Sequence, residues 1–289
     1  MEINHNQESM GTMENTQNIL ITGGTSGIGE ALVKHFDRQA GYRVYFTARN
    51  EEKAKALAEG LQQSEYLLMD FSRLATVTEG ARRLREQLPQ LDILINNAGT
   101  WQMEFSETAD GIETNFAVNH LAPMLLTLEL LPALKKAPAA RIIHTSSGAH
   151  RRDILELEDL EFRQGPYNGI ATYSQSKLCN LLFSLELKNH LEGSRVTTNT
   201  VHPGYVQSGL FENMGPRNWE TVPSSDHGAR SAIYAATAPE LAGLSGKYFY
   251  LEGEEQRLSP RAMDPQLARA LWAASEGYLK PFLTEGSPS

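Results

Sequence analysis

Seven short apolar runs punctuate the chain: Asn18–Thr22, Arg43–Thr47, Tyr66–Asp70, Asp92–Asn96, Arg141–Thr145, Val196–Val201 and Lys247–Leu251. Continuous apolar runs of this length suit strands buried on both faces. Each of the first five intervals carries helical spacing, over Glu30–Gln39, Glu51–Leu61, Leu74–Leu88, Gly111–Leu134 and Tyr173–Leu191. This alternation predicts right-handed βαβ units and a Rossmann-type doubly wound α/β fold. The expected sheet is parallel and seven-stranded, with helices on both faces. No Pro-, Gly- or Ser-rich linker interrupts the pattern, so residues 18–284 are expected to form a single domain. Residues 1–17 are polar and aperiodic, and are expected to be a loose tail. The stretch 209–226 breaks the pattern and is expected to be a substrate loop near the site.

Composition narrows the function classes. Lys and Arg number 26 against 35 Asp and Glu, giving a formal charge of −9. An acidic chain without a basic block is ill suited to binding nucleic acid through phosphates. The single cysteine, Cys179, excludes an intrachain disulfide and a Cys-rich zinc site. No run of 18 apolar residues and no N-terminal apolar segment is present, so neither a membrane anchor nor a secretory signal is expected. A reducing, cytoplasmic setting is the default expectation.

The first apolar run leads straight into Thr22-Gly23-Gly24-Thr25-Ser26-Gly27-Ile28-Gly29 and then a helix. A helix N-terminus offers unpaired N–H groups and partial positive charge to a pyrophosphate, and side-chain-free residues let the phosphates approach. Further on, Tyr173 and Lys177 lie four apart on an expected helix, on one face and one turn apart. A nearby ammonium and a positive nicotinamide ring both favour the ionised form of a phenol, which predicts a tyrosine acidified by Lys177 and the bound ring and able to exchange a proton with a carbonyl or alcohol. About 20 residues beyond Gly29 the chain reads Ala48-Arg49-Asn50, with no carboxylate to grip a ribose 2′-hydroxyl. Arg49 has a planar fork suited to a 2′-phosphate, so NADP(H) is expected over NAD(H), unless Arg49 is simply solvated.

The glycine spacing T-G-x-x-x-G-x-G, Asn96-Asn97-Ala98-Gly99 after the fourth run, Y-x-x-x-K at Tyr173 and Lys177, and Pro203-Gly204 after the sixth occur in that order. Together they resemble the short-chain dehydrogenase/reductase family over residues 18–251. The subgroup most resembled is retinol dehydrogenase-like, on Val118-Asn119-His120-Leu121, Ser146-Ser147-Gly148-Ala149-His150, the segment Tyr173–Leu182, Leu271-Trp272 and Ser275-Glu276. The resemblance implies a hydride-transferring oxidoreductase with Asn119, Ser147, Tyr173 and Lys177 as catalytic residues. It implies cofactor contacts from Gly23, Thr25, Ser26, Gly27, Ile28, Gly29, Asn97, Ala98, Gly99, Tyr173, Lys177, Pro203, Gly204, Val206 and Ser208, the last replacing the family's threonine. Asp70 is implied as an adenine contact, with a helix N-cap as the alternative or additional role. Residues alternate across a strand, so one of Ser146 and Ser147 should face the cleft; the resemblance favours Ser147. Asn119 is implied to hold a water that connects Lys177 to solvent, in a helix that Pro123 is expected to distort.

The histidines 120, 144, 150 and 202 show no ligand spacing, so they read as core or surface groups and no metal is expected. Cys179 should face away from Lys177 as a buried, inert thiol. The acidic run from Asp153 to Glu161 reads as a lid or a surface segment. Trp101, Met103, Tyr205, Phe211, Met214 and Trp219 read either as core or as an apolar lining suited to a small hydrophobic carbonyl or alcohol substrate. Membrane-bound retinol dehydrogenases carry an N-terminal anchor, so a retinoid is not implied here. Family relatives pair through the two long helices, which makes a homodimer an expectation. Two other readings are a light-dependent protochlorophyllide reductase-like C=C reductase, disfavoured because Tyr205 stands where that group has its cysteine, and a noncatalytic NADP-binding sensor or scaffold.

Overall fold

In the computed structural model, which describes residues 16–210, 219–251 and 253–284, the seven apolar runs form seven parallel strands. These are β1 (Gln17–Ile21), β2 (Tyr42–Ala48), β3 (Ser64–Leu68), β4 (Ile93–Asn96), β5 (Arg141–Thr145), β6 (Thr197–His202) and β7 (Tyr248–Tyr250). An eighth, β8 (Glu254–Glu255), pairs antiparallel with β7 at the edge. The sequence reading gave seven because two exposed glutamates carry no apolar periodicity; charge at an edge strand discourages further pairing. Strand order is β3-β2-β1-β4-β5-β6-β7-β8. The order reverses between β1 and β4, and the carboxyl ends of the strands there flank the crevice where doubly wound folds bind ligands.

Burial on both faces follows strand alternation. Leu20, Leu94 and Ile142 enter one core, while Ile19, Ile21, Ile93, Ile95 and Ile143 enter the other. The first core is covered by α3 (Leu74–Gln87), α4 (Thr114–Leu134), α5 (Gly169–His190) and α7 (Pro265–Leu279). The second is covered chiefly by α1 (Gly27–Asp37) and α6 (Ser225–Thr237), with Ala54 of α2 (Glu51–Ala58) at its margin. α5 begins one turn before the expected Tyr173 because the Asn168 carboxamide accepts from Ile170 and Ala171 N–H and caps it. α6 and α7 carry no assignment in the sequence reading. Asp264, with Pro265 in the first turn, caps α7.

α4 is long and apolar enough to cross a membrane, yet 89% of its most apolar window is buried inside the molecule, which makes it a core helix. It packs on α3, and α5 packs on α7. The two helices through which a homodimer was expected are therefore largely covered by this chain, leaving little apolar surface on them for a second copy. Within α4, Ala117–Leu121 form a π turn in which Ala122 N–H bonds the Ala117 carbonyl. The ordinary helical donor to the Asn119 carbonyl would be the nitrogen of Pro123, which has no hydrogen. The expected distortion thus falls at Asn119.

Gln17, assigned to the tail, opens β1, and residues 1–15 lie outside the described residues. Of the expected substrate loop, Phe211, Met214 and the side chain of Trp219 lie outside them too. The segment 153–161 is fastened rather than lid-like. Leu155 and Leu160 are buried, and the Arg261 guanidinium donates to the carbonyls of Asp153 and Leu155.

Candidate active site

A cleft of about 700 Å3 opens at the carboxyl ends of the strands. It is lined by Gly23, Thr25, Ser26, Gly27, Ile28 and Gly29 from the first turn, and by Arg49 and Asp70 after β2 and β3. Asn97, Ala98 and Gly99 after β4 line it too, as do Ser147, Tyr173, Lys177, Pro203, Gly204, Val206 and Ser208. Of the catalytic and cofactor-binding residues named from sequence, Asn119 alone is absent from the lining; it is fully buried behind Gly99.

The first turn is stitched to the fourth strand. Thr22 Oγ1 accepts from the N–H groups of Asn97 and Ala98, each at 2.9 Å, and Asn97 Nδ2 donates to the Thr22 carbonyl at 3.0 Å. The Asn97 side chain thus holds the two turns together. Gly23 has φ +69°, and a Cβ there would stand 3.0 Å from Ala98 Cα. A Cβ at Gly29 would overlap the Gly23 carbonyl oxygen. Gly29→Ala is therefore expected to destabilise the fold by about 1–3 kcal/mol and to weaken dinucleotide binding at least tenfold. Urea unfolding and fluorescence titration check this, with Gly277→Ala, where nothing approaches within 4 Å, as the neutral control.

The residues fit a dinucleotide. Side chains of Asn50, Asn168, Ser224 and Asp264 cap α2, α5, α6 and α7, whereas Ser26 makes no side-chain cap on α1. The first amides of α1 thus keep their capacity for an anion. Arg49 and Lys53, both exposed, lie one helical turn apart beside the end of β2 and make no ion pair among the described residues. Lys53 escaped the sequence reading; its i+4 spacing from Arg49 was the available signal. Asp70 does not cap α3, correcting one of its two expected roles. Its Oδ1 accepts from Ser72 N–H and Oγ–H, at 2.9 and 2.8 Å, while Asp110 accepts from Leu74 N–H at the start of α3. Buried Met69 and Phe71 flank it on the cleft wall.

Tyr173 and Lys177 both project from α5 into the cleft, and the two serines separate as alternation requires. Ser146 Oγ donates to the Lys177 carbonyl at 2.8 Å, which ties α5 to the end of β5. Ser147 accepts from Ala149 N–H at 3.2 Å, and its hydroxyl stands on the phenol's side, where it favours the ionised form of Tyr173. Asn119 Oδ1 accepts from Thr100 N–H at 2.7 Å, and its Nδ2 donates to the Thr100 carbonyl and to Ser176 Oγ, both at 2.9 Å. Asn115, missed from sequence, likewise accepts from Gln102 N–H at 2.8 Å and donates to the Gln102 carbonyl. Together the two asparagines fix the loop that carries Trp101.

The neighbouring amine does not by itself acidify the phenol; the expected lowering also draws on the positive nicotinamide ring of the cofactor when bound. Lys177 Nζ lies 5.5 Å from the centre of the Tyr173 ring and donates to the Thr145 carbonyl at 3.3 Å. Burial pushes the phenol up to about 12, opposed only by the Ser147 hydroxyl. Burial also pulls the amine down to about 8. Desolvation outweighs attraction because both groups are enclosed.

The family model for short chain dehydrogenase matches residues 17–219. The chain is a member of the short-chain dehydrogenase family. It is 37% identical to human retinol dehydrogenase 14 over 91% of this chain and 87% of that protein. It is also 37% identical to human retinol dehydrogenase 13, over 89% and 82%. Among solved structures, an uncharacterized protein from Mycobacterium paratuberculosis superposes with a TM-score of 0.76 at 33% identity, covering 91% of this chain and 93% of that one. A short chain dehydrogenase from Burkholderia cenocepacia, solved in complex with NADP, shares the fold, with a TM-score of 0.67 at 23% identity over 83% and 98%. This short-chain dehydrogenase is thus retinol dehydrogenase-like, an oxidoreductase acting on CH–OH or C=O groups with a nicotinamide cofactor.

Other residues named from sequence fall outside the chemistry. Burial pulls His120 and His144 down to about 3 and His202 to about 4, so they stay neutral. His120 is bonded to Ser275, and His144 packs on Phe183. Cys179 is buried in the core and burial pushes its thiol up. Trp101 stacks flat on Tyr173, with ring centres 4.2 Å apart. Trp101 and Tyr205 line the cleft, and Met103 is exposed.

Proposed function

We propose that this short-chain dehydrogenase is NADP(H)-dependent and interconverts a hydrophobic carbonyl compound and its alcohol. One observation carries the reading: Ser147, Tyr173 and Lys177 share a single cleft with the uncapped α1 turn and with Arg49 and Lys53, which make no ion pair among the described residues. When bound, NADP(H) supplies or accepts the hydride. The pyrophosphate is assigned to the α1 amides, the 2′-phosphate to Arg49 and Lys53, and the adenine to the slot between Met69 and Phe71 beside Asp70. Backbone groups of Gly99 and Val206 and the Ser208 hydroxyl serve the nicotinamide half, and Lys177 serves the ribose.

Ser147 uses one lone pair on Ala149 N–H and keeps its own proton for an oxygen in the cleft, either the phenol or a substrate carbonyl. Tyr173, held protonated by burial, is ready to donate to that carbonyl. Reprotonation comes through Lys177, with the Asn119 carbonyl as the acceptor that keeps a relay water. Trp101 and Tyr205 give the mouth an apolar surface suited to a hydrophobic substrate.

The direct test is an NADPH oxidation screen against hydrophobic aldehydes and ketones. Turnover of at least one is expected; NADPH binding without turnover of any would favour a noncatalytic NADP-binding protein. Arg49→Asp is expected to lower kcat/KM for NADPH at least tenfold relative to NADH, the scale of losing one charge-assisted phosphate contact. An unchanged cofactor ratio would remove Arg49 from the site.

A further inference from the structure

A second cavity, of about 460 Å3, continues the cleft past the stacked Trp101. Trp101, Gly148 and Ala149 line both spaces, and Ser174, next to the proposed proton donor, lines the second. Trp101 is locked in place, since its indole N–H donates to the Gly169 carbonyl at 3.0 Å while its face covers Tyr173. Ile170, 37% exposed, adds an apolar wall. The cavity wall is therefore mostly apolar, as a hydrocarbon stem requires.

The same cavity carries two neighbouring cations. Arg151 and Arg152 occupy the last turn of a short 3-10 helix, Gly148–Arg152, that starts at Ser147, and both are exposed. Arg151 donates to the neutral Gln256 side-chain oxygen at 2.9 Å. Arg152 makes no hydrogen bond or ion pair among the described residues. The adjacent acid, Asp153, accepts instead from Ser259 at 2.7 Å. Two guanidinium groups thus line an apolar cavity without a carboxylate partner among the described residues, in a chain with nine more acidic than basic residues. Guanidinium forks suit carboxylates.

We propose that the substrate of this enzyme is an amphipathic carbonyl compound: a hydrophobic stem lies along Trp101 and Ile170, and an anionic group at its far end is held by Arg152, with Arg151 beside it. This rests on the functional reading above and names the substrate class for that site. The charge is set apart from the reacting carbon by the stem, so it orients the substrate and takes no part in the chemistry.

The test uses the full chain with NADPH and two matched series, ω-oxo carboxylic acids and their methyl esters, with stems of about C6 to C12. At low salt the acid should exceed its ester in kcat/KM by about two- to fivefold for at least one stem length, the range of one solvent-exposed ion pair. Arg152→Ala should abolish this preference and Arg152→Glu should reverse it, both leaving ester turnover unchanged. High salt should weaken it in the native enzyme. Equal turnover of acid and ester at every stem length, or a preference that survives Arg152→Glu, overturns the proposal alone. No turnover of either series by an enzyme that reduces another hydrophobic aldehyde or ketone overturns the proposal alone; no turnover of any carbonyl overturns the carbonyl-reductase reading, and the proposal with it.

Discussion

Tyr173→Phe is expected to lower kcat by roughly 10²–10⁴-fold, the range a positioned general acid contributes, while NADPH affinity stays within about twofold. The ring fills the same space and keeps its stack on Trp101, so the variant should fold normally. What it loses is the one hydroxyl that Ser147 acts on and that can pass a proton to a carbonyl oxygen in this cleft. Single-turnover kinetics with a competent carbonyl substrate separate the two effects. Retained kcat would remove Tyr173 from the proton step, and lost NADPH binding would recast it as a structural residue.

Lys177→Met should both inactivate the enzyme and stabilise it. The amine titrates near 8 in the fold against an ordinary 10.5. Below pH 8 it is protonated in both folded and unfolded chains, so folding encloses a charge at a cost of about 3 kcal/mol, from 1.36 kcal/mol per pKa unit. Between pH 8 and 10.5 the folded amine has released its proton and the unfolded one has not, so stability rises with pH. Above 10.5 the penalty is gone. Methionine keeps an unbranched stem and carries no charge. The variant should therefore gain on the order of 1–3 kcal/mol at pH 7, gain nothing above pH 10.5, and lose turnover at least 100-fold. Urea unfolding at the two pH values decides it. A variant less stable at pH 7, or one with the native pH slope between 8 and 10.5, would contradict the enclosed charge. A stability penalty retained at a functional position is consistent with the amine serving chemistry rather than folding.

The strands were legible from sequence because a strand buried on two faces needs an unbroken apolar run, and this chain has seven. β8 was not, because two exposed glutamates satisfy no such need. α6 was also missed: its buried positions are mostly alanines, with Gly228 and Ser231, and small residues give a weak periodic signal. The α1 turn was legible because a strand running straight into clustered glycines has few other uses. Asp70 was legible as a position but not as a role, since an Asx turn onto Ser72 and a helix cap use the same residue type.

By itself the chain's order of residues determined the doubly wound sheet, the phosphate turn, and the placing of Tyr173 and Lys177 on one helical face. Each of these follows from local periodicity or from backbone geometry that only glycine tolerates. Tertiary structure alone decided that Ser147 rather than Ser146 acts on the phenol, that Lys177 donates to the Thr145 carbonyl while its amine lies over the Tyr173 ring, and that Arg151 and Arg152 line a cavity. Those outcomes depend on which distant surfaces enclose a side chain. Enclosure sets desolvation, and desolvation here outweighs the attraction that spacing along a helix would have predicted.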